Sequence, residues 1–303
     1  MKFLLFADLH VHKTWPISTN KELHIMQKRA EEEGCDFIIH AGDFCFDAAT
    51  NKDIIEEYNN FHIPSYHVLG NHDADHTPLA EVLEMFRMPH NYYYFDCKGY
   101  RIIALDPNYY YSNGEYVHFD QRNYYTHGPE RDWVPPEQLQ WLEETIRTAP
   151  GPCLILSHES FEREADGVQN QLEVRRIINE ANRRKPGSVL MCMNGHYHRD
   201  FVRILDNVCY MDVNSGTGEY VDVRHECYGK ELHDAIPGLK CLVCYDPLPV
   251  YCIVTVEDTT ITVDGMEGGL LQGVTREMTG NKRFDPAGRE TTGGIQSFKI
   301  KLW

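Results

Sequence analysis

Along the first 200 residues, apolar runs of strand length alternate with segments whose apolar positions recur every three or four residues. "KFLLFAD" at the N-terminus predicts a buried first strand, "CDFIIHAGD" a second and "SYHVLGNHD" a third. Between the first two, "TNKELHIMQKRAEEEG" predicts a helix that opens on a capping box from Thr19 to Glu22 and stops at Gly34. "KDIIEEYNNF" and "PLAEVLEMFR" predict shorter helices, and "NYYYFDCKGYRIIALD" two strands joined by a glycine turn. "PPEQLQWLEETIRTAP" predicts a helix with proline at its start, and "CLILSHES" and "SVLMCMNGHYH" predict strands around a helix over 170–184. Past residue 200 the pattern changes to short strands: "FVRILDNVCYMDVNSG", "VYCIVTVED" and "TITVDGM". The alternation places the chain in the α/β class, and the hairpin makes its sheet mixed. Residues 1–265 read as one domain and the Gly-rich, weakly periodic stretch 266–303 as a tail draped on it.

The composition of the 303 residues, 42% hydrophobic and 25% charged, is that of a globular chain with material for a large core. A formal net charge of −17 repels phosphate backbones and anionic membranes, which argues against polymeric nucleic acid as substrate. No apolar run is long enough to span a membrane, and "MKFLLFADLHVH" is interrupted by Asp8 before it could serve as a signal sequence. Ten scattered cysteines then read as reduced, buried small hydrophobes of a cytoplasmic protein, the Cys241/Cys244 pair included.

Five apolar runs end in polar clusters: "ADLHVH", "HAGDF", "LGNHD", "LSHES" and "MNGHYH". Each cluster sits at the carboxyl end of its strand, where α/β sheets place ligands, so all five can meet in one crevice. The groups gathered there are Asp8, His10, Asp43, Asn71, His72, His158, His196 and His198. Carboxylates, an amide and imidazoles without a thiolate suit borderline divalent ions such as Mn²⁺, Fe²⁺ or Zn²⁺, and the number of groups suits two ions rather than one. D-x-H and H-x-H spacing keeps both members on one side of an extended chain. Glycines at 42, 70 and 195 would let the backbone turn tightly ahead of each cluster.

"DLH", "GD", "GNHD", a lone His after a strand and "GHYH", in this order and at these strand ends, resemble the calcineurin-like metallophosphoesterase superfamily. The resemblance implies a four-layer α-β-β-α sandwich of two mixed sheets flanked by helices, with the later strands in the second sheet. It further implies that Asp8, His10 and His198 bind one divalent metal ion, that Asn71, His158 and His196 bind a second, and that Asp43 bridges them. The implied reaction is hydrolysis of a phosphate ester by attack of a metal-bridging hydroxide, with His72 left unbound to metal to stabilise the phosphoryl group or protonate the leaving oxygen.

Departures from subfamily patterns narrow the substrate. Phe46 stands where purple acid phosphatases carry the Tyr of GDxxY and where Ser/Thr protein phosphatases carry the second Asp of GDxxDRG, so neither specificity is expected. A phosphodiesterase or phosphatase acting on a small soluble ester, nucleotide esters included, remains. The alternatives are a nuclease or nucleotide-diphosphate hydrolase of the same superfamily, or a non-catalytic binding scaffold. No feature specifies an oligomeric state. Asp73 is a candidate to orient His72 or a structural turn contact, and His12 and Arg199 are candidates to touch substrate. His40 and His67 read as core or supporting histidines, and His76, His90, His118, His127, His225 and His233 as surface or loop residues. Tyrosines crowd 92–125, and 107–134 lacks clear periodicity, as a lid or binding loop would; the tyrosines either pack a strand face or stack on a base.

Overall fold

The computed structural model describes residues 1–12, 19–126, 130–162, 167–220, 228–235, 242–270 and 293–303. In chain order the elements are β1 (Lys2–Phe6), α1 (Thr19–Glu32), β2 (Phe37–Ala41), α2 (Lys52–Asn59), β3 (Ser65–Val68) and α3 (Leu79–Met85). There follow β4 (Tyr93–Cys97), β5 (Tyr100–Ala104), β6 (Tyr109–Ser112), β7 (Glu115–His118), α4 (Pro136–Arg147), β8 (Cys153–Leu156), α5 (Gln171–Arg184) and β9 (Val189–Asn194). Last come β10 (Phe201–Leu205), β11 (Val208–Asp212), β12 (Gly218–Tyr220), α6 (Lys230–Ala235), β13 (Leu242–Cys244), β14 (Cys252–Glu257), β15 (Thr260–Gly265) and β16 (Phe298–Lys301).

Two six-stranded sheets carry the fold, ordered β16-β15-β14-β1-β2-β3 and β10-β11-β9-β8-β5-β4. Both are mixed: β1, β2 and β3 run parallel, as do β5, β8, β9 and β11, while β14, β4 and β10 pair antiparallel to their neighbours. The second sheet divides its side chains with a period of two. Ile102, Ala104, Leu154, Leu156, Met191 and Met193 join Phe3, Leu5 and Ile39 in a core that takes in both sheets. Ile103, Cys153, Ile155 and Cys192 pack instead with Leu142 of α4 and Val174, Ile177 and Ile178 of α5. Helix α1 closes the opposite layer through Leu23, Met26 and Ala30, giving the expected α-β-β-α sandwich. Each Leu, Ile, Val, Met or Phe among these contributes about 1.5–3 kcal/mol by leaving water.

Three expectations are corrected. The capping box does not form: Thr19 is already helical, and the buried Glu22 carboxylate has no hydrogen-bond partner. The helix stop at Gly34 does form, with φ +65°, Gly34 N–H donating to Glu31 O and Cys35 N–H to Ala30 O, a Schellman closure. The later strands divide between the sheets, since β10 and β11 join the second but β14 and β15 pair with β1 in the first. Within the expected tail, Phe298–Lys301 forms β16, the edge strand paired to β15.

Candidate active site

Parallel pairing brings the ends of β1, β2, β3, β8 and β9 together. Beyond the end of β1, Asp8 N–H donates to Gly42 O and His10 N–H to Asp43 O, both at 3.0 Å, so the pairing outlasts the strands. The chain then bends in an unusual way: Asp8, His10, Asp43, His196 and His198 all have left-handed backbone, with φ between 45° and 74°. Non-glycine residues cost of order 1–3 kcal/mol each in sparsely populated backbone regions and persist there only when their surroundings over-determine them. Here the surroundings do so. The Ser215 hydroxyl donates to Asp8 O at 2.7 Å, Thr217 Oγ1 donates to Leu9 O at 2.8 Å, and His196 N–H donates to the Asp8 carboxylate at 3.0 Å.

Among the neighbouring glycines, only Gly42 uses a positive φ, of 94°. At Gly70 and Gly195 the need is room rather than rotation: a Cβ would strike Asp43 in one case and Asp8 in the other.

Two groups of buried or half-buried side chains that could each hold a metal ion result. Asp8, His10 and His198 form one, and Asp43, His158 and His196 the other, with ligand atoms within 4.8 Å of one another in each. Asn71 Oδ1 joins the second, 3.0 Å from His196 Nδ1. Asp43 Oδ2 lies 3.1 Å from His158 Nε2 and 3.6 Å from His10 Nε2, between the groups.

The donor geometry fits two cations. His10 Nε2 and His198 Nε2 stand 3.0 Å apart, two imidazole nitrogens converging as ligands do. His158 Nδ1 is 2.9 Å from Ala41 O, which fixes the ring, while its buried Nε2 has no hydrogen-bond partner despite its closeness to Asp43. Buried imidazole nitrogens and carboxylate oxygens that converge at such short range, with the far nitrogen of His158 fixed by a backbone carbonyl, suit a divalent ion. Burial pushes His10 well below the usual imidazole pKa and His196 down to about 3, favouring the neutral form that a metal requires. Burial disfavours the Asp43 carboxylate, but His158 and His72 outweigh it and keep its pKa low.

His72 lies beside these groups. Its ring centroid is 4.9 Å from that of Phe46 and 5.7 Å from that of His10, and its backbone N–H donates to Asp43 Oδ1 at 2.8 Å. The carboxylate that holds its ring is Asp75, with Oδ2 2.8 Å from His72 Nδ1. Asp73 points the other way and accepts backbone N–H groups of Gly70, Asp43, Phe44 and Cys45, so it pins the third strand's turn to the second. Of the two roles expected for Asp73, the structure shows the turn contact. Burial would lower the His72 pKa, but Asp43 and the Asp75 hydrogen bond and charge outweigh it and hold it above the usual value.

The remaining candidates are less central. His12 is exposed and Arg199 half-buried, both next to the cluster in sequence. His40 and His67 are core residues, the former edge-on to Phe44 and the latter stacked on Phe86. His118, expected at the surface, makes an ion pair of 2.6 Å with buried Asp106, and His233, also expected there, is buried. His76 and His90 are exposed as expected, whereas His127, His225 and Cys241 lie outside the described residues.

Sequence reasoning missed Asp75 and Tyr124, whose hydroxyl donates to Asp75 Oδ1 at 2.7 Å. It also missed the hairpin β6–β7 inside the Tyr-rich segment. A signal for the hairpin was present: Asn113-Gly114, at φ 53° and 89°, forms the two-residue turn between paired Ser112 and Glu115.

Comparisons with known proteins bear on the fold and the family. A manganese-dependent ADP-ribose/CDP-alcohol diphosphatase of Arabidopsis thaliana is 25% identical over 214 residues, 54% of this chain; the match spans 65% of that relative. In fold the chain is similar to a dimetal phosphatase from Danio rerio (TM-score 0.65, 12% identity, 100% of this chain and 99% of that one). It is also similar to GAP50, the anchor in the inner membrane complex of Plasmodium (TM-score 0.54, 12% identity, 90% and 87% covered). The model for the calcineurin-like phosphoesterases matches residues 1–200, the span holding every proposed ligand, and the chain belongs to that family.

Proposed function

We propose that the protein is a dinuclear, metal-dependent hydrolase of small phosphate esters. The observation that carries this reading is the pair of ligand groups with Asp43 between them and His72 alongside. Asp8, His10 and His198 would hold one divalent ion and Asn71, His158 and His196 the other. Bound there, two such ions supply Lewis-acid stabilisation of phosphoryl oxygens and lower the pKa of water. His72, with Nδ1 held by Asp75, offers Nε2 to the substrate side and donates its proton to the leaving oxygen, a contribution of about 10²–10⁴-fold. Phe46 packs against both His72 and His10.

A nucleotide-diphosphate substrate is the second reading, favoured by the likeness to the Arabidopsis diphosphatase and its manganese dependence. The retained ligand set argues against a non-catalytic scaffold. Among the described residues no helix is long and apolar enough to cross a membrane, and the eight described cysteines are unpaired, which supports a reduced, cytoplasmic setting. The test is hydrolysis of p-nitrophenyl phosphate, bis-p-nitrophenyl phosphate and ADP-ribose by Mn²⁺-loaded protein, with a chelated control. Chelator-sensitive turnover of at least one is expected; none on all three would overturn the enzyme reading.

A further inference from the structure

Between Leu105 and Thr126 the chain leaves the second sheet as the hairpin β6–β7 and a 3-10 turn, Asn123–Thr126, and docks on the turn that follows β3. Asn108 Nδ2 donates to Leu69 O at 3.2 Å, Gln121 N–H to Ala74 O at 2.8 Å, and Leu79 N–H to Asp120 Oδ1 at 3.1 Å. Buried Asp106 anchors the base of the excursion through His118, Asn91 and Asn108. The excursion thereby carries Tyr124 to the rear of His72. Tyr124 is 2% exposed and stacked on Phe119 at 4.3 Å, so its ring has one orientation available. Its hydroxyl donates to Asp75 Oδ1 and lies 3.3 Å from His72 Nδ1.

Both oxygens of Asp75 are thus engaged, one by the tyrosine and one by the histidine. A carboxylate held by one oxygen can still rotate about its terminal bond; held by both, it fixes the plane and the tautomer of the imidazole it faces. We infer that Asp75 and Tyr124 are positioning residues for His72, and that the excursion acts on the reaction by aiming the His72 Nε2 proton at the leaving oxygen. The inference rests on the reading of His72 as the proton donor. In the step concerned, a water-derived oxygen forms the new bond to phosphorus, the P–O bond to the leaving group breaks with its electron pair on the leaving oxygen, and that oxygen takes the Nε2 proton, leaving a neutral His72 that solvent reprotonates.

A structural role alone is the competing explanation, since Arg122 Nε also lies 3.8 Å from Asp75. Dependence on the leaving group separates the two. A p-nitrophenolate departs without a proton, whereas a more basic phenolate needs one. Asp75→Asn, Asp75→Ala, Tyr124→Phe and His72→Ala should be compared with the unsubstituted protein on matched p-nitrophenyl and phenyl esters, with Mn²⁺ content measured on each. Asp75→Ala is expected to keep its metal, to lose about 10–100-fold in kcat on the phenyl ester and to stay within about threefold on the p-nitrophenyl ester. Tyr124→Phe, which keeps the ring stack, should show the same pattern more weakly, and Asp75→Asn guards against misfolding of the alanine variant. Equal losses on both esters, or none, with metal retained would overturn the inference. If His72→Ala widens the gap between esters and the Asp75 and Tyr124 variants do not, the inference fails alone. If His72→Ala leaves the gap unchanged, the proton-donor reading fails and the inference with it.

Discussion

The ligand cluster and the Tyr-rich excursion meet at His72, yet they are built by opposite means. The cluster hangs on five parallel strand ends whose backbone is left-handed at five ligand positions, and interlocked backbone and hydroxyl contacts hold it there. The excursion has a two-stranded hairpin of its own and owes its placement to side chains: Asp106 with His118, Asn108 with Leu69, Tyr124 with Asp75. The contrast teaches that the residues proposed to bind metal are fixed by the fold, whereas the segment proposed to aim the proton donor is fixed by a few hydrogen bonds and can be altered separately.

The largest expected effect comes from breaking the cluster at its shared ligand. Asp43→Ala should lose bound metal and with it all measurable turnover, checked by elemental analysis beside an ester assay. Next is Gly70→Ala, whose methyl group would displace Asp43 without changing any ligand. Overpacking of this kind costs about 1–3 kcal/mol, so lowered thermal stability and weakened Mn²⁺ binding should appear together.

Smaller effects are expected on the excursion. His118 is held above its ordinary pKa, since the Asp106 charge and hydrogen bond outweigh burial, and buried Asp106 is held below its own, mainly by His118. The raised His118 contributes stability that is complete below about pH 6.5 and lost as pH rises through its folded value. The depressed Asp106 contributes stability that is complete above about pH 3.9 and lost as pH falls through its folded value. Proteolytic resistance of the hairpin should therefore be greatest between those limits, and Asp106→Asn should flatten that dependence at a cost of about 1–3 kcal/mol. Least of all, Tyr111→Ala, at an exposed position of β6, should change stability by no more than about 0.5 kcal/mol, read as an unchanged melting curve.

The same contrast explains what was legible in the sequence. Each ligand motif is a short word at the end of an apolar run, so both its identity and its place on a strand could be read. The α-β-β-α layering followed from the resemblance those words carry. Asp75 escaped because "GNHDADH" offers two carboxylates, and only the turn geometry, with Asp75 N–H donating to His72 O, shows that the residue three positions on faces the imidazole. Tyr124 is 52 residues from His72 in sequence, and no local pattern links them. The hairpin was readable from Asn113-Gly114 but was hidden by the absence of polar-apolar alternation in "YYYSNGEYVH". The capping box failed because burial of Glu22 overrode a local propensity.

The most direct test of the whole arrangement is metal content and turnover measured together on His72→Ala. Two ions per chain with a rate about 10²–10⁴-fold lower is the expected result. An active variant with normal metal content, or one that has lost an ion, would contradict the separation of metal binding from proton donation on which the arrangement depends.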